Sequence, residues 1–276
     1  MGPYIVPDES VHVEQININV MSFRKRFLAG ESLTGSFLKI AHTMPAEILG
    51  VLGYDFVVID EEHAPINRES VDRIVLACKA HGLGCLVRIP DADPSAILSV
   101  LDCGADGVLV PHVDSVQKAT EIVGAARYRA GNRGYSPTTR AGNFGLNSIA
   151  THVAQEDERA LVIAMIEDPK AVEDIDAIVA TDGLDGVFIG RGDLTVAYGE
   201  TNPGSEPVKA ATKAICKSAR ENGVGLCAMT GGAKDLLSLV ELGVTSVIVG
   251  SDQTFLRNAA RDQLADIKAV FPNRKD

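Results

Sequence analysis

Apolar residues along this 276-residue chain come in short unbroken runs, separated by stretches whose apolar positions recur at helical spacing. Eight runs read as strands, at residues 36–40, 56–59, 85–89, 107–111, 161–166, 186–189, 225–228 and 246–249. The run Leu161, Val162, Ile163, Ala164, Met165, Ile166 has no polar residue at alternate positions, as expected of a strand covered on both faces. Between the runs, Asn67 stands as an N-cap before Val71, Ile74, Val75 and Cys78, with Gly82 just past the last of them. Asp93-Pro94 and Asp168-Pro169 each set a capping carboxylate ahead of a first-turn proline; Ile97, Val100, Leu101 and Val172, Ile175, Ile178, Val179 then follow at helical spacing. Doubly covered strands alternating with helices predict an α/β chain folded as a single (β/α)8 TIM barrel. A doubly wound open sheet fits less well, because no glycine-rich dinucleotide turn is found.

Two segments depart from the alternation. After a helix at 116–127, the stretch AGNRGYSPTTRAGNFGLNS is too long for a plain connection and reads as a functional or mobile loop. Residues 1–20 carry no Lys or Arg and no long apolar core, so they read as an N-terminal arm and not a signal peptide, with 21–276 forming the barrel. Composition narrows the choice further. With 26 Lys+Arg against 37 Asp+Glu the net charge is −11, which leaves no basic stripe for a nucleic-acid backbone. No apolar run approaches the roughly 20 residues of a membrane helix. The 5 cysteines have no C-x-x-C spacing and lie mostly in apolar segments, which fits reduced, buried thiols in a cytoplasmic protein.

In such barrels the reacting groups collect where the strands end. The second run leads into Asp60, Glu61, Glu62 and His63, the third contains Arg88, the fourth leads to His112, the fifth to Glu167, the sixth to Arg191 and Asp193, and the eighth to Ser251 and Asp252. Glu167 and Asp193 offer only oxygen, which suits Mg2+ or Mn2+ with positions left open for a chelating 2-oxo acid. Arg88 supplies a planar cation for developing negative charge, and His63 a proton shuttle whose ring Asp60 could orient. Blander readings exist for each. Glu167 could face the next helix N-terminus, Arg88 could serve a structural ion pair, the acidic turn could be merely solvated, and His81 and His112 read as ordinary. Arg191 and the 133–145 loop with Arg140 could grip an acidic or hydroxylated aldehyde, or be surface charge.

The segments GYDFVVIDEEHAPIN, LVRIPDAD, GVLVPHVDS, IEDPKAVEDIDAI, GLDGVFIGRGDL and VIVGSDQTFL resemble, in order and spacing, the metal-dependent class II pyruvate aldolases, the family of 4-hydroxy-2-oxoheptanedioate and 2-dehydro-3-deoxyglucarate aldolases. The likeness runs from about Arg24 to Ile267 and rests on the joint presence of D-x-E-H-A-P, the I-E strand end and G-x-x-D-L. It implies that Glu167 and Asp193 bind the divalent metal, Mg2+ or Mn2+ with Co2+ or Zn2+ as substitutes. It further implies that Arg88 binds pyruvate, that His63 and Asp60 form the proton-handling dyad, and that backbone amides of Gly192 and Asp193 hold the substrate carboxylate. The resemblance also implies a homohexamer with its C-terminal helix exchanged between subunits. A helix from about Gln253, with Phe255, Leu256, Ala259, Ala260, Leu264 and Ile267 along one side, is apolar enough for that. Four positions depart from the family: Met165 for glutamine, Phe37 for tryptophan, Arg191 for proline and Glu61 for glycine. None is a metal ligand. The expected activity is reversible cleavage of a 4-hydroxy-2-oxo acid to pyruvate, or hydroxypyruvate, and an aldehyde. A metal-dependent decarboxylase or acyl-CoA lyase is the nearer alternative, though no basic cluster for nucleotide phosphates is evident; a non-catalytic binding barrel is the further one.

Overall fold

A computed structural model describes residues 21–271; the N-terminal arm expected over 1–20 lies outside the described residues. Eight parallel strands, β1 (Leu33–Leu38), β2 (Phe56–Asp60), β3 (Gly84–Arg88), β4 (Gly107–Val110), β5 (Leu161–Ile166), β6 (Gly186–Ile189), β7 (Gly225–Met229) and β8 (Ser246–Ser251), pair in sequence order. The ring closes where β8 pairs with β1. The predicted barrel is thus the observed one. Its largest boundary shift is at β1, which starts at Leu33, because small and polar Thr34, Gly35 and Ser36 hide its first half from an apolar count. Gly35 is needed there: a Cβ would stand 2.4 Å from the Phe56 ring.

Alternation along each strand divides the core in two. Phe37, Phe56, Val58, Leu86, Leu109, Leu161, Ile163, Met165, Phe188 and Ile248 fill the barrel interior. Their neighbours, among them Val57, Ile59, Val87, Val108, Val162 and Ile166, pack outward with the apolar faces of the helices. Two residues beyond Val58, Leu86 and Met165 the inward series reaches Asp60, Arg88 and Glu167, all three buried. The strand period therefore aims these polar side chains into the barrel mouth.

The opposite end is closed and pinned. A helix at Phe23–Leu28 sets Phe23 and Phe27 against the strand starts, where Cβ atoms on Gly84, Gly186 and Gly225 would come within 2.4, 2.7 and 2.3 Å of those rings. Asp55, Asp106 and Asp185, each one residue ahead of β2, β4 and β6, accept the N–H of Thr34, Cys85 and Val162 on the preceding strand, each at 2.9 Å. Arginines hold these carboxylates in turn: Arg26 on Asp55, Arg159 on Asp106, Arg24 and Arg127 on Asp185.

The long segment after the helix Val116–Ala126 contains a helix of its own, Ile149–Arg159, whose first turn is capped by the Ser148 hydroxyl. Before it, Arg133 is buried between Asp102 and Glu156 at 3.1 and 3.2 Å, and Arg140 pairs with Asp72 at 2.8 Å. Asp102 and Glu156 lie at the ends of helices that lead into β4 and β5, so Arg133 belongs to the closed end of the barrel. Of the two readings of the 133–145 loop, an aldehyde grip or surface charge, the ion pairs of Arg133 and Arg140 with Asp102, Glu156 and Asp72 favour the second. The 5 cysteines are free and buried, and among the described residues no helix is long and apolar enough to cross a membrane.

Candidate active site

Strand register creates the first half of the site. Asp60 and Arg88 are register partners at the ends of β2 and β3, so their side chains emerge together on the inner face. Arg88 donates from Nε to Asp60 Oδ1 at 2.9 Å and from Nη2 to Oδ2 at 2.7 Å, and stacks 4.8 Å from the Phe37 ring. Lys39 Nζ adds a second cation, 3.0 Å from Asp60 Oδ2. Burial alone would raise the Asp60 pKa, but the Arg88 and Lys39 contacts hold it below the ordinary carboxylate value.

His63 is placed differently from its expected pairing. Asp60 Oδ1 accepts the backbone N–H of His63 at 3.1 Å, while the half-exposed ring has Nε2 3.7 Å from Glu62 Oε2. Asp60 therefore fixes the turn that carries His63 and not the ring. The register explains this: with Arg88 directly opposite, the carboxylate is already engaged on both oxygens. Glu62 is not a solvated turn residue either, because its Oε2 lies 3.2 Å from Arg88 Nε.

The second half is acidic. Glu167 follows directly on β5, is 2% exposed, and accepts the His112 backbone N–H at 2.9 Å through Oε1. Burial pushes its carboxyl up to about 7; the His112 N–H opposes this, while the charges of Asp193 and Glu62 add to it. Asp193 lies in the first turn of the helix Arg191–Ala197, and the N–H groups of Gly192 and Asp193 belong to the same turn, where no intrahelical acceptor exists. Among the described residues no lysine or arginine pairs with Glu167 or Asp193.

That donor set fits a divalent cation: two carboxylates offer oxygen ligands, and the Asp193 charge adds to the cost of ionising buried Glu167. Among the described residues no group of three or more His, Cys, Asp and Glu side chains gathers closely enough to enclose an ion. Held by Glu167 and Asp193 alone, a cation would keep positions open for substrate.

His112, expected to be ordinary, is part of this half. Its backbone is left-handed at φ 51, a conformation that costs a non-glycine residue energy and aims its N–H at Glu167. The ring Nδ1 lies 3.1 Å from Asp168 Oδ2. Burial would lower the His112 pKa, but the Asp168 hydrogen bond and the charges of Glu167, Asp168 and Glu62 raise it.

A cleft of about 610 Å³ opens beside these groups, lined among others by Lys39, Arg88, Asp193, Asn202 and Thr254. Arg191, one of the family departures, lies in its wall and is tied to Asp235 through two contacts of 2.7 and 2.6 Å, and to the Met229 carbonyl. Met165 and Phe37, two more departures, line the cleft floor. Sequence reading missed Lys39, and it named Glu62 and His112 at the strand ends without giving either a role. Lys39 could have been found by counting inward positions on from Leu33, Gly35 and Phe37, whereas nothing in the sequence announced the left-handed turn at His112.

Comparison with known proteins finds aldolase relatives. A family model described as HpcH/HpaI aldolase/citrate lyase matches residues 33–259. The 5-keto-4-deoxy-D-glucarate aldolase of Enterobacter sp. (strain 638) is 33% identical over 246 residues, covering 88% of this chain and 95% of the relative. Its counterpart in Escherichia coli O6:H1 is 32% identical over the same coverage. Among solved structures, the HpcH/HpaI aldolase from Desulfitobacterium hafniense DCB-2 is similar with a TM-score of 0.85 at 29% identity, covering 90% of this chain and 97% of the other. The citrate synthase SbnG gives 0.83 at 30% identity, covering 91% and 99%.

Proposed function

As a member of the HpcH/HpaI aldolase/citrate lyase family this chain is a carbon–carbon lyase, and we propose that it reversibly cleaves a 4-hydroxy-2-oxo acid to pyruvate, or hydroxypyruvate, and an aldehyde. The observation that carries this reading is the pair Glu167 and Asp193, with no lysine or arginine paired to either among the described residues, His112 3.5 Å from Glu167 Oε1, and Arg88 lining the adjoining cleft. A divalent cation held by those two carboxylates, Mg2+ or Mn2+ by their oxygen chemistry, would act as a Lewis acid toward a 2-oxo acid. A non-catalytic barrel is set aside by the family assignment.

The residues then divide the work. Arg88 and the N–H groups of Gly192 and Asp193 hold the 2-oxo acid carboxylate. His63, on the turn that Asp60 pins, takes the proton of the 4-hydroxyl as the carbon–carbon bond breaks and the aldehyde leaves. The electron pair of that bond becomes an enolate, whose charge Arg88 faces, and a proton returned to its terminal carbon gives pyruvate. Asp60 keeps both Arg88 and the His63 backbone in place. Glu62, beside both Arg88 and His63, keeps the proton path polar.

The reading extends to a homo-oligomer, a hexamer by resemblance. The helix Asp252–Val270 leaves Leu256, Leu264, Ile267 and Val270 exposed, a face suited to a second subunit. Truncation before Gln253 should dissociate the assembly in light scattering; a truncated chain of unchanged mass per particle would refute the exchange.

The test of the reaction needs no aldehyde. With Mn2+ or Mg2+, the enzyme should exchange the methyl protons of pyruvate with deuterated solvent, seen as loss of the methyl proton signal. Chelator or Glu167→Gln should abolish it. A methyl signal that stays constant with folded, metal-loaded protein would end the pyruvate aldolase reading, and exchange seen only with a thioester would favour an acyl-CoA lyase.

A further inference from the structure

We propose that Arg191 and Asp235 are positioning residues, whose ion pair clamps the turn carrying Gly192 and Asp193 in the geometry that binds metal and 2-oxo acid. The proposal rests on the aldolase reading above. The turn has little local support. Position 190, the N-cap of the helix Arg191–Ala197, is held by glycine, since a Cβ there would stand 2.4 Å from Cβ of Glu167. The space that Glu167 takes therefore denies this helix a capping side chain. At 7 residues the helix is also too short to hold its own first turn. Whatever fixes Asp193 has to reach it from another element.

Arg191 supplies that link. Placed immediately before Gly192, it donates from Nη1 to Asp235 Oδ1 at 2.7 Å, and from Nη2 to Asp235 Oδ2 and the Met229 carbonyl, each at 2.6 Å. Asp235 lies on the helix Ala233–Glu241, and its Oδ2 also accepts the Gly231 N–H at 2.8 Å. The ends of β6 and β7, neighbours in the ring, are thus tied through one planar fork. The arginine backbone is held as well: its carbonyl accepts the Thr195 hydroxyl at 2.6 Å. Arg191, Gly192, Asp193, Met229, Gly231 and Asp235 line the same cleft, so a slip of the fork moves the wall of the site. The departure from proline at 191 then has a physical account. Proline fixes φ at a first helical position through its ring, and arginine achieves the restriction through tertiary contacts.

Two competing explanations predict different outcomes. If the pair only stabilises the fold, its loss lowers the melting temperature and leaves both binding constants of the folded protein unchanged. If the two charges act on the ligands directly, their effects have opposite signs: Arg191→Met weakens pyruvate and tightens Mn2+, and Asp235→Asn does the reverse. A clamp predicts weakening in all four cases. Arg191→Met and Asp235→Asn should each raise the pyruvate concentration for half-maximal proton exchange about tenfold, with the maximal rate within about threefold of wild type. Each should also weaken Mn2+ binding about fivefold, measured by electron paramagnetic resonance without pyruvate. The double variant should be no worse than the worse single one, because both break the same contact. Arg191→Pro should stay within about threefold of wild type on both constants, and Asp235→Asn should add nothing to it.

Unchanged constants in the folded single variants, effects of opposite sign, losses that multiply in the double variant, or a loss in Arg191→Pro equal to that in Arg191→Met would each overturn the proposal. Should Arg191→Met fail to fold, Asp235→Asn decides alone, since direct charge predicts tighter pyruvate binding there and a clamp predicts weaker. Absence of pyruvate proton exchange in wild type would instead remove the aldolase reading, while Mn2+ titration of the same variants would still show whether the pair holds Asp193 in place.

Discussion

The Cβ atom that Gly190 lacks would stand 2.4 Å from Cβ and 2.8 Å from Oε2 of Glu167. This closeness follows from the β5–β6 register, which pairs Ile166 with Ile189 and so brings the next two residues side by side. Glycine at 190 is thus the space in which the buried carboxylate lies. Gly190→Ala should push Glu167 aside, at a stability cost of about 1–3 kcal/mol, and weaken Mn2+ binding by roughly tenfold or more. Titration of free Mn2+ by electron paramagnetic resonance measures this directly; unchanged affinity in a folded variant would remove Glu167 from the metal site.

Glu167 also predicts an inverted effect on stability. Its carboxyl is raised from the ordinary 4.5 to about 7, so the folded, metal-free protein holds a proton that the unfolded chain releases. The protonated form is compatible with burial below pH 4.5, and stability is lost as pH rises through about 7. Metal-free Glu167→Gln should therefore be more stable than wild type at pH near 8, by on the order of 2 kcal/mol, with the gap shrinking toward pH 5. Mn2+ should raise the melting temperature of wild type and not of the variant. Melting curves with and without chelator at several pH values test both statements.

What the sequence revealed follows from what is periodic in it. Apolar runs located all eight strands, because a strand covered on both faces needs no partner to be recognised. Asp60, Arg88 and Glu167 were legible because a charged residue ending an apolar run is conspicuous. Their partnerships were not, since Asp60 meets Arg88 through inter-strand register, and only that register shows why the carboxylate holds the His63 backbone instead of its ring. His112 escaped because its contribution is a backbone N–H in a left-handed turn, which any residue name could hide. Arg140 and the 133–145 loop left two readings open in the sequence, and only the long-range partners of Arg133 and Arg140 at Asp102, Glu156 and Asp72 favour one of them.

Arg133 should accordingly matter for folding and not for chemistry. Its side chain is 0% exposed between Asp102 and Glu156, and Glu156 also binds Arg159. Burial would raise the Glu156 pKa, but hydrogen bonds and charges from Arg159 and Arg133 hold it below the ordinary 4.5. A depressed carboxylate stabilises the fold above that value and loses its contribution as pH falls through the folded pKa. Glu156→Gln should destabilise by about 3–5 kcal/mol at pH 7, with the difference from wild type closing as pH falls below the ordinary 4.5. Urea unfolding measures this. Pyruvate exchange per folded, metal-loaded molecule should be unaltered, and a strong drop would place the long loop in the active site after all.

Arg88 carries two duties that substitution can separate. Its Nε and Nη2 bind both oxygens of Asp60, and Nε also lies 3.2 Å from Glu62. A lysine at this position has one ammonium and no fork, so it can satisfy one Asp60 oxygen or a substrate carboxylate but not hold the same planar arrangement. Arg88→Lys should raise the pyruvate concentration needed for half-maximal exchange by about tenfold and lower the maximal rate as well. His63→Ala should behave differently, lowering the rate by about a hundredfold while leaving that concentration within about threefold. The comparison is informative because both residues depend on Asp60. Asp60→Asn should combine the two phenotypes if Asp60 acts through its hold on Arg88 and on the His63 turn. If Asp60→Asn instead reproduced only the His63→Ala rate loss, with pyruvate affinity intact, the Asp60–Arg88 pair would be structural and the carboxylate contact would have to lie with the Gly192 and Asp193 amides.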